Sequence, residues 1–232
     1  MTNPSSPPGD IMSALELLAG PGQVVEVRVL ATNAVHSGYF TDYAALARAC
    51  EALDCDPSVR GCYVTLNTVN PSLFSRRANR IQMRLGRTET TTGDAEITMR
   101  RWFPVDIDPV RPSGVSSTDA EHAAAFVMAE AVATWLSRLG FTEPVRADSG
   151  NGAHLLYRID LPNDAASLAL VKRGLSVLDA CFSDPSATVD AANSNAGRIW
   201  KLMARLPGKG TAHLNARTGG ARSFLCRKGS KW

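Results

Sequence analysis

The sequence is bounded first by what it lacks. No apolar run in its 232 residues approaches the ~18–20 residues needed to cross a bilayer. Met1 to Asp10 are rich in Pro, Ser and Gly and show no basic-then-apolar pattern. They read as a floppy start, not a secretory leader. Residues 1–12 are therefore expected to be disordered, and the chain to be soluble and cytoplasmic, with no membrane partner. Cysteine is scarce and odd in number: Cys50, Cys55, Cys62, Cys181 and Cys226. Without a leader, reduced thiols are the default. A zinc site from Cys50, Cys55 and Cys62 lacks the C-x2-C spacing, and Cys50 falls on an apolar helical stripe. Repeats, collagen-like periods and heptads are missing. With 44% apolar and 20% charged residues, the composition is that of a globular domain.

Acidic residues are missing from two long segments. Pro57 to Thr88 has none, yet carries Arg60, Arg76, Arg77, Arg80, Arg84 and Arg87. After Asp190 there is again none, against Arg198, Lys201, Arg205, Lys209, Arg217, Arg222, Arg227, Lys228 and Lys231. The net charge is only +3, so the acids concentrate in the middle. Basic segments flanking an acidic centre suit a polyanion held beside a metal site.

What is present alternates strand and helix. Val25, Val27 and Val29 alternate with Glu26 and Arg28, the pattern of a half-buried strand. Thr41 and Asp42 can cap a helix with the stripe Tyr43, Leu46, Ala47, Cys50, Leu53. Cys62 to Leu66 and Ile97 to Asp108 read as strands. Thr118 and Glu121 fit a capping box for a helix that stops at Gly140. His154 to Ile159 reads as a strand, and Pro162-Asn163-Asp164 starts a helix through Phe182. Residues 187–190 and 198–203 look like short strands. The expected class is α/β or α+β, as one domain over 13–232 with two closely packed lobes, about 13–95, with later segments contributing to it, and about 96–228.

Three motifs carry chemistry. In Val105-Asp106-Ile107-Asp108 the acids are two apart on a strand, so both carboxylates face one side. They repel unless a cation lies between them, and hard divalent ions favour such oxygen ligands. Ser149-Gly150-Asn151-Gly152-Ala153-His154 is a small-residue loop entering a strand. Its glycines let backbone N–H groups approach an anion, and His154 can donate to phosphate. It is neither the Rossmann fingerprint nor a nucleophile elbow, and the chain has no P-loop. Val189-Asp190 places a third acid at the end of an apolar segment. An Asn-rich turn then leads to Arg198 and Lys201, within reach of a phosphate.

In this order the motifs resemble those of the archaeo-eukaryotic primase superfamily, in particular the primase-polymerases of phages and plasmids. The matches are Asp106-Ile107-Asp108, Gly152-Ala153-His154 and Val189-Asp190, supported by Asp108-Pro109-Val110-Arg111-Pro112 and, upstream, by Gly38-Tyr39-Phe40-Thr41-Asp42 and Tyr63-Val64-Thr65-Leu66-Asn67. The likeness covers about residues 25–228. Where relatives continue the Arg/Lys strand with an aromatic-Gly-Thr segment, this chain has Met203-Ala204-Arg205. The resemblance implies an RRM-like catalytic sheet packed against an N-terminal α/β module. It also implies template-directed nucleotidyl transfer from a dNTP or NTP. Asp106, Asp108 and Asp190 would hold two Mg2+ or Mn2+ ions. Ser149, Gly150, Asn151, Gly152, His154, Arg198 and Lys201 would bind the nucleotide, and Arg76, Arg77, Arg80 and Arg111 the template or primer. Single-stranded DNA and a helicase of the same replication system are the implied partners, in a bacterial or phage-infected cell.

Three rivals remain open on sequence alone. A catalytically inactive RRM-like binding module would not need three converging acids. A metal-dependent nuclease would not need a triphosphate pocket around His154. A D-x-D glycosyltransferase leaves His154 and the basic C-terminal stretch without a role.

Overall fold

The computed structural model describes residues 8–112, 114–206 and 210–213. The chain is a mixed α/β protein with two sheets, and all paired strands run antiparallel. Among the described residues no helix is long and apolar enough to cross a membrane.

The first sheet begins with β1 (Val25–Ala31) and β2 (Ala34–Phe40), a hairpin whose tight turn places Asn33 at φ 62°. Asn tolerates that left-handed conformation because its side chain is short and polar. β3 (Val59–Thr65) pairs with the other edge of β1. Beyond it lie β9 (Ile199–Leu206) and β10 (Gly210–His213), giving the order β10-β9-β3-β1-β2. Two helices cover one face, α1 (Pro8–Ala19) and α2 (Tyr43–Asp54). Asp42 caps α2, accepting from Ala45 N at 2.9 Å. Val27, Val29, Val64, Leu46 and Cys50 build the core there with Ile11, Leu15 and Leu18 of α1.

The start of α1 corrects the expectation of disorder through residue 12. Pro8 opens the helix, where its missing N–H has no intrahelical partner to lose, and Ile11 is buried in the core.

The second sheet is built on the long β5 (Ile97–Pro109). After it come α3 (Asp119–Arg138), β6 (Val145–Asp148), β7 (Ala153–Pro162), α4 (Ala165–Phe182) and β8 (Ala187–Val189). β5 pairs with β7, and β7 with β6. Along its other edge β5 holds the two-residue β4 (Thr68–Val69) near its start and β8 near its end. The chain order is thus β-α-β-β-α-β, with spatial order β8-β5-β7-β6, the split β-α-β arrangement. Thr118 and Glu121 form the expected capping box of α3, and Asp164 caps α4 by accepting from Ser167 N at 2.7 Å.

Alternation along β5 and β7 divides their side chains between two cores. Phe103, Val105, Ile107, Leu155 and Tyr157 pack against α3 and α4. Trp102 and Leu156 face the other way and join the core of the first sheet. The acid pair of β5 lies on that second face, turned toward the first lobe. The last strands return to the first lobe: β9 joins β3, so the second sheet ends with β8 and not near residue 228.

Candidate active site

The site is assembled by strand register. Asp106 lies directly opposite His154 of β7. On the other edge of β5, Ile107 pairs with Val189, and the Asp190 N–H donates to the Asp106 carbonyl at 2.9 Å. Asp190, Asp106 and His154 therefore stand side by side across three neighbouring strands, with Asp108 one pleat further along β5.

Each carboxylate meets its own partner. His154 Nε2 lies 3.1 Å from Asp106 Oδ1, and Asn193 Nδ2 donates to Asp106 Oδ2 at 3.3 Å. Asp190 accepts from Ala192 N at 2.9 Å and faces Arg198 Nη2 at 3.3 Å. Asp108 has Arg111 Nη2 at 3.9 Å. The His154 ring rests edge-on against Trp200 of β9, 4.2 Å between centroids. Burial pushes the Asp106 carboxyl up, but His154, Arg198 and Lys201 together hold it below its ordinary value. Asp108 is raised, first by burial and then by Asp106 beside it. Burial lowers Lys201, against the pull of Asp108 and Asp106.

These residues fit a hard divalent ion in donor chemistry. Asp106 and Asp108 share one face of β5 and Asp190 follows the neighbouring strand, Asp108 is raised by burial and by its acidic neighbour, and Asn193 Oδ1 is buried without a hydrogen-bond partner among the described residues. They are not gathered: among the described residues no three His, Cys, Asp or Glu side chains form a metal-holding group. Cys50 and Cys62 are buried in the apolar core, while Cys55 is exposed.

The loop before His154 departs from its expected role. The Gly150 N–H donates to Asp148 Oδ1 at 2.6 Å, and the Asn151 and Gly152 N–H groups both donate to Ser149 Oγ, at 3.4 and 3.0 Å. The N–H groups meant for phosphate are thus turned inward by an Asp and a Ser side chain. Asn151 Oδ1 accepts from Ser117 N at 3.1 Å. Ser149, Gly150, Asn151 and Gly152 shape the loop rather than cradle an anion. Gly152 is required by close approach, since a Cβ there would stand 2.2 Å from the Ile107 carbonyl and 3.0 Å from Asp108 Oδ1.

The basic cluster also divides. Arg77 is only 3% exposed. It donates to Ser37 Oγ at 3.2 Å and the Thr90 carbonyl at 2.8 Å, and lies over the Tyr39 ring. It is a structural residue, not one free for nucleic acid. Arg76 pairs with Glu96 at 2.6 Å. Arg80 is exposed. Arg111 stays beside Asp108 and donates to the Val115 carbonyl at 2.6 Å. Lys209, Arg217, Arg222, Arg227, Lys228, Lys231 and Cys226 lie outside the described residues, as does the side chain of Arg205.

Sequence reasoning missed the fastening of the turn that carries Asp190, Asn193 and Arg198. Arg100 Nη1 donates to the Ser194 carbonyl at 2.7 Å, and Asn67 Nδ2 to the Ala196 carbonyl at 2.9 Å. Asp94 Oδ1 accepts from Gly197 N at 2.7 Å. Asn67 Oδ1 also takes the Arg101 N–H at 2.9 Å, beside the point where β5 and β7 shift register. Asn193-Ser194-Asn195 was legible as a turn, but nothing local told which residues hold it.

Compared with known protein families, curated proteins and solved structures, the chain matches none.

Proposed function

We propose that this protein is a metal-dependent nucleotidyltransferase of the primase-polymerase type, extending a primer or initiating nucleotide on a single-stranded DNA template. One observation carries the reading. Asp106, His154 and Asp190, from three motifs far apart in sequence, stand in one row across adjacent strands of a β-α-β-β-α-β sheet. That order agrees with the RRM-like catalytic sheet that the motifs imply.

Asp106, Asp108 and Asp190 are the residues to hold Mg2+ or Mn2+. Such ions, when bound, activate a 3′-hydroxyl and neutralise charge on the transferred phosphate. The chain itself supplies the rest. His154, held against Trp200, presents an imidazole beside the acids to donate to phosphate. Arg198 and Lys201 supply charge-assisted bonds to a triphosphate. Asn193 positions the Asp106 carboxylate. Trp200 closes the inner side of the imidazole against water.

A nucleic-acid-binding module without catalysis is the second reading. It is favoured by carboxylates already met by the chain's own nitrogen donors and by the lack of a gathered metal group among the described residues. Incubation with a primed single-stranded template, labelled dNTPs or NTPs and Mn2+ separates the two. Elongated product supports the polymerase. Retarded but unchanged DNA supports the binding module, and shortened template a nuclease.

A further inference from the structure

The carboxylates are met by the chain's own nitrogen donors, and those donors are held with unequal firmness. His154 is 6% exposed and wedged against Trp200, so its ring is fixed. Arg111 is anchored at the Val115 carbonyl through Nη1. Arg198 differs. Its side chain is 41% exposed and meets Asp190 at 3.3 Å, and a half-exposed ion pair of this kind is weak. Its backbone is not loose. The neighbouring Gly197 N–H is held by Asp94 and the Ala196 carbonyl by Asn67. A Cβ at Gly197 would press on Asp94 Oδ1 at 3.0 Å and the Gly93 carbonyl carbon at 3.1 Å. A firmly held turn thus presents one half-exposed guanidinium beside an acid.

The consequence is electrostatic. A divalent ion approaching Asp190 must compete with the guanidinium already there. A triphosphate approaching Arg198 must compete with the carboxylate. Either ligand, by taking its own partner, frees the other's.

We propose that Arg198 is an exchangeable counter-ion: loading moves it from Asp190 onto the triphosphate, so that divalent ion and nucleotide bind strongly only together. This rests on the nucleotidyltransferase reading and adds to it a named coupling residue.

The test titrates Mn2+ into wild type, Arg198→Gln and Arg198→Lys, following the free ion by electron paramagnetic resonance. Each titration is run with and without a non-hydrolysable deoxynucleoside triphosphate, with the nucleotide's own chelation measured in protein-free solution. In wild type the nucleotide raises Mn2+ affinity about tenfold or more beyond chelation, within the usual range of site–site coupling. Arg198→Gln binds Mn2+ alone about tenfold more tightly than wild type, since a competing charge is gone, and loses most of the nucleotide's effect. Arg198→Lys keeps the wild-type pattern. Asp190→Asn weakens Mn2+ in both conditions. The proposal is overturned if Arg198→Gln binds Mn2+ alone no more tightly than wild type, or if nucleotide leaves wild-type affinity unchanged. When primer extension persists through either result, only the exchange fails. If Mn2+ binds under no condition and no primer is extended, the nucleotidyltransferase reading fails with it. Circular dichroism and melting confirm that each variant is folded.

Discussion

Glu26 and Asp106 are both acids on sheet strands, and the protein treats them in opposite ways. Glu26 is fully buried on the face of the first sheet away from α1 and α2. Its oxygens accept from Ser37 Oγ at 2.5 Å, Arg28 Nε at 2.9 Å and Thr92 N at 2.9 Å, with Arg77 Nη2 at 3.9 Å. Those donors belong to the first sheet and to the 77–92 segment that crosses it, so Glu26 pins one to the other. Among the described residues the Asp106 carboxylate has only His154 and Asn193 for hydrogen-bonding partners, at 3.1 and 3.3 Å. Around it stand two further acids and three buried polar atoms with no hydrogen-bond partner: His154 Nδ1, Asn193 Oδ1 and Trp200 Nε1. A buried carboxylate therefore does not by itself mark a ligand site. Beside Glu26 one such atom is left, Arg77 Nε; what distinguishes Asp106 is that three of them gather around it.

The contrast is most severely tested by removing each acid. Asp106→Ala should lower primer extension in Mg2+ or Mn2+ by at least about a thousandfold while leaving a cooperative melt. Near-normal extension would break the assignment. Glu26→Ala should do the reverse, costing about 3–5 kcal/mol in urea unfolding, because it strands Arg28 and Arg77 beside a hole. Full stability there would remove one side of the comparison.

Arg100→Met sharpens it further. Loosening the turn that carries Asp190 should slow extension about 10- to 100-fold, mainly in kcat, with Arg100→Lys recovering part of the loss. Equal losses in kcat and stability, unrelieved by lysine, would reduce Arg100 to a structural role.

The smallest effect is a pH dependence. The Asp108 carboxyl is raised by burial and by Asp106, so the folded protein holds that proton more firmly than the unfolded chain does. The resulting stability is complete below the ordinary Asp range and is lost as pH rises through the raised value. Asp108→Asn should therefore melt about a degree or two above wild type at pH 7. The gap should vanish toward about pH 3. A lower melting temperature at pH 7 would mean that Asp108 is well compensated as it stands.

Local chemistry made much of this legible in advance. Asp42, Thr118 and Asp164 announce their helices, and the alternation through β5 puts Asp106 and Asp108 on one face. His154 and Asp190 were legible as motif residues; that they stand beside Asp106 was implied only by the family resemblance, and strand register is what brings them there. Long-range partners account for the rest. Asn67 and Ala196 are 129 residues apart when they bond. Arg77 is one of the arginines expected on template or primer, yet the buried Glu26, far from it in sequence, draws it inside. The 149–152 loop misled for a different reason: its own serine and the preceding aspartate satisfy the N–H groups that glycine exposes. β2 escaped notice because Ser37 and Gly38 interrupt its apolar pattern. Gly38 is there because a Cβ would meet the Arg80 carbonyl at 2.1 Å.

The return of β9 to the first sheet has a consequence for biogenesis. β3 receives its neighbour only when residues 199–206 emerge from the ribosome, and with them comes the indole on which the His154 imidazole leans. Until then the nascent chain exposes an open edge, and pairing so distant in sequence is slow to find. A message truncated shortly after Asp190 would encode all three aspartates of the site and still yield a half-closed, sticky product.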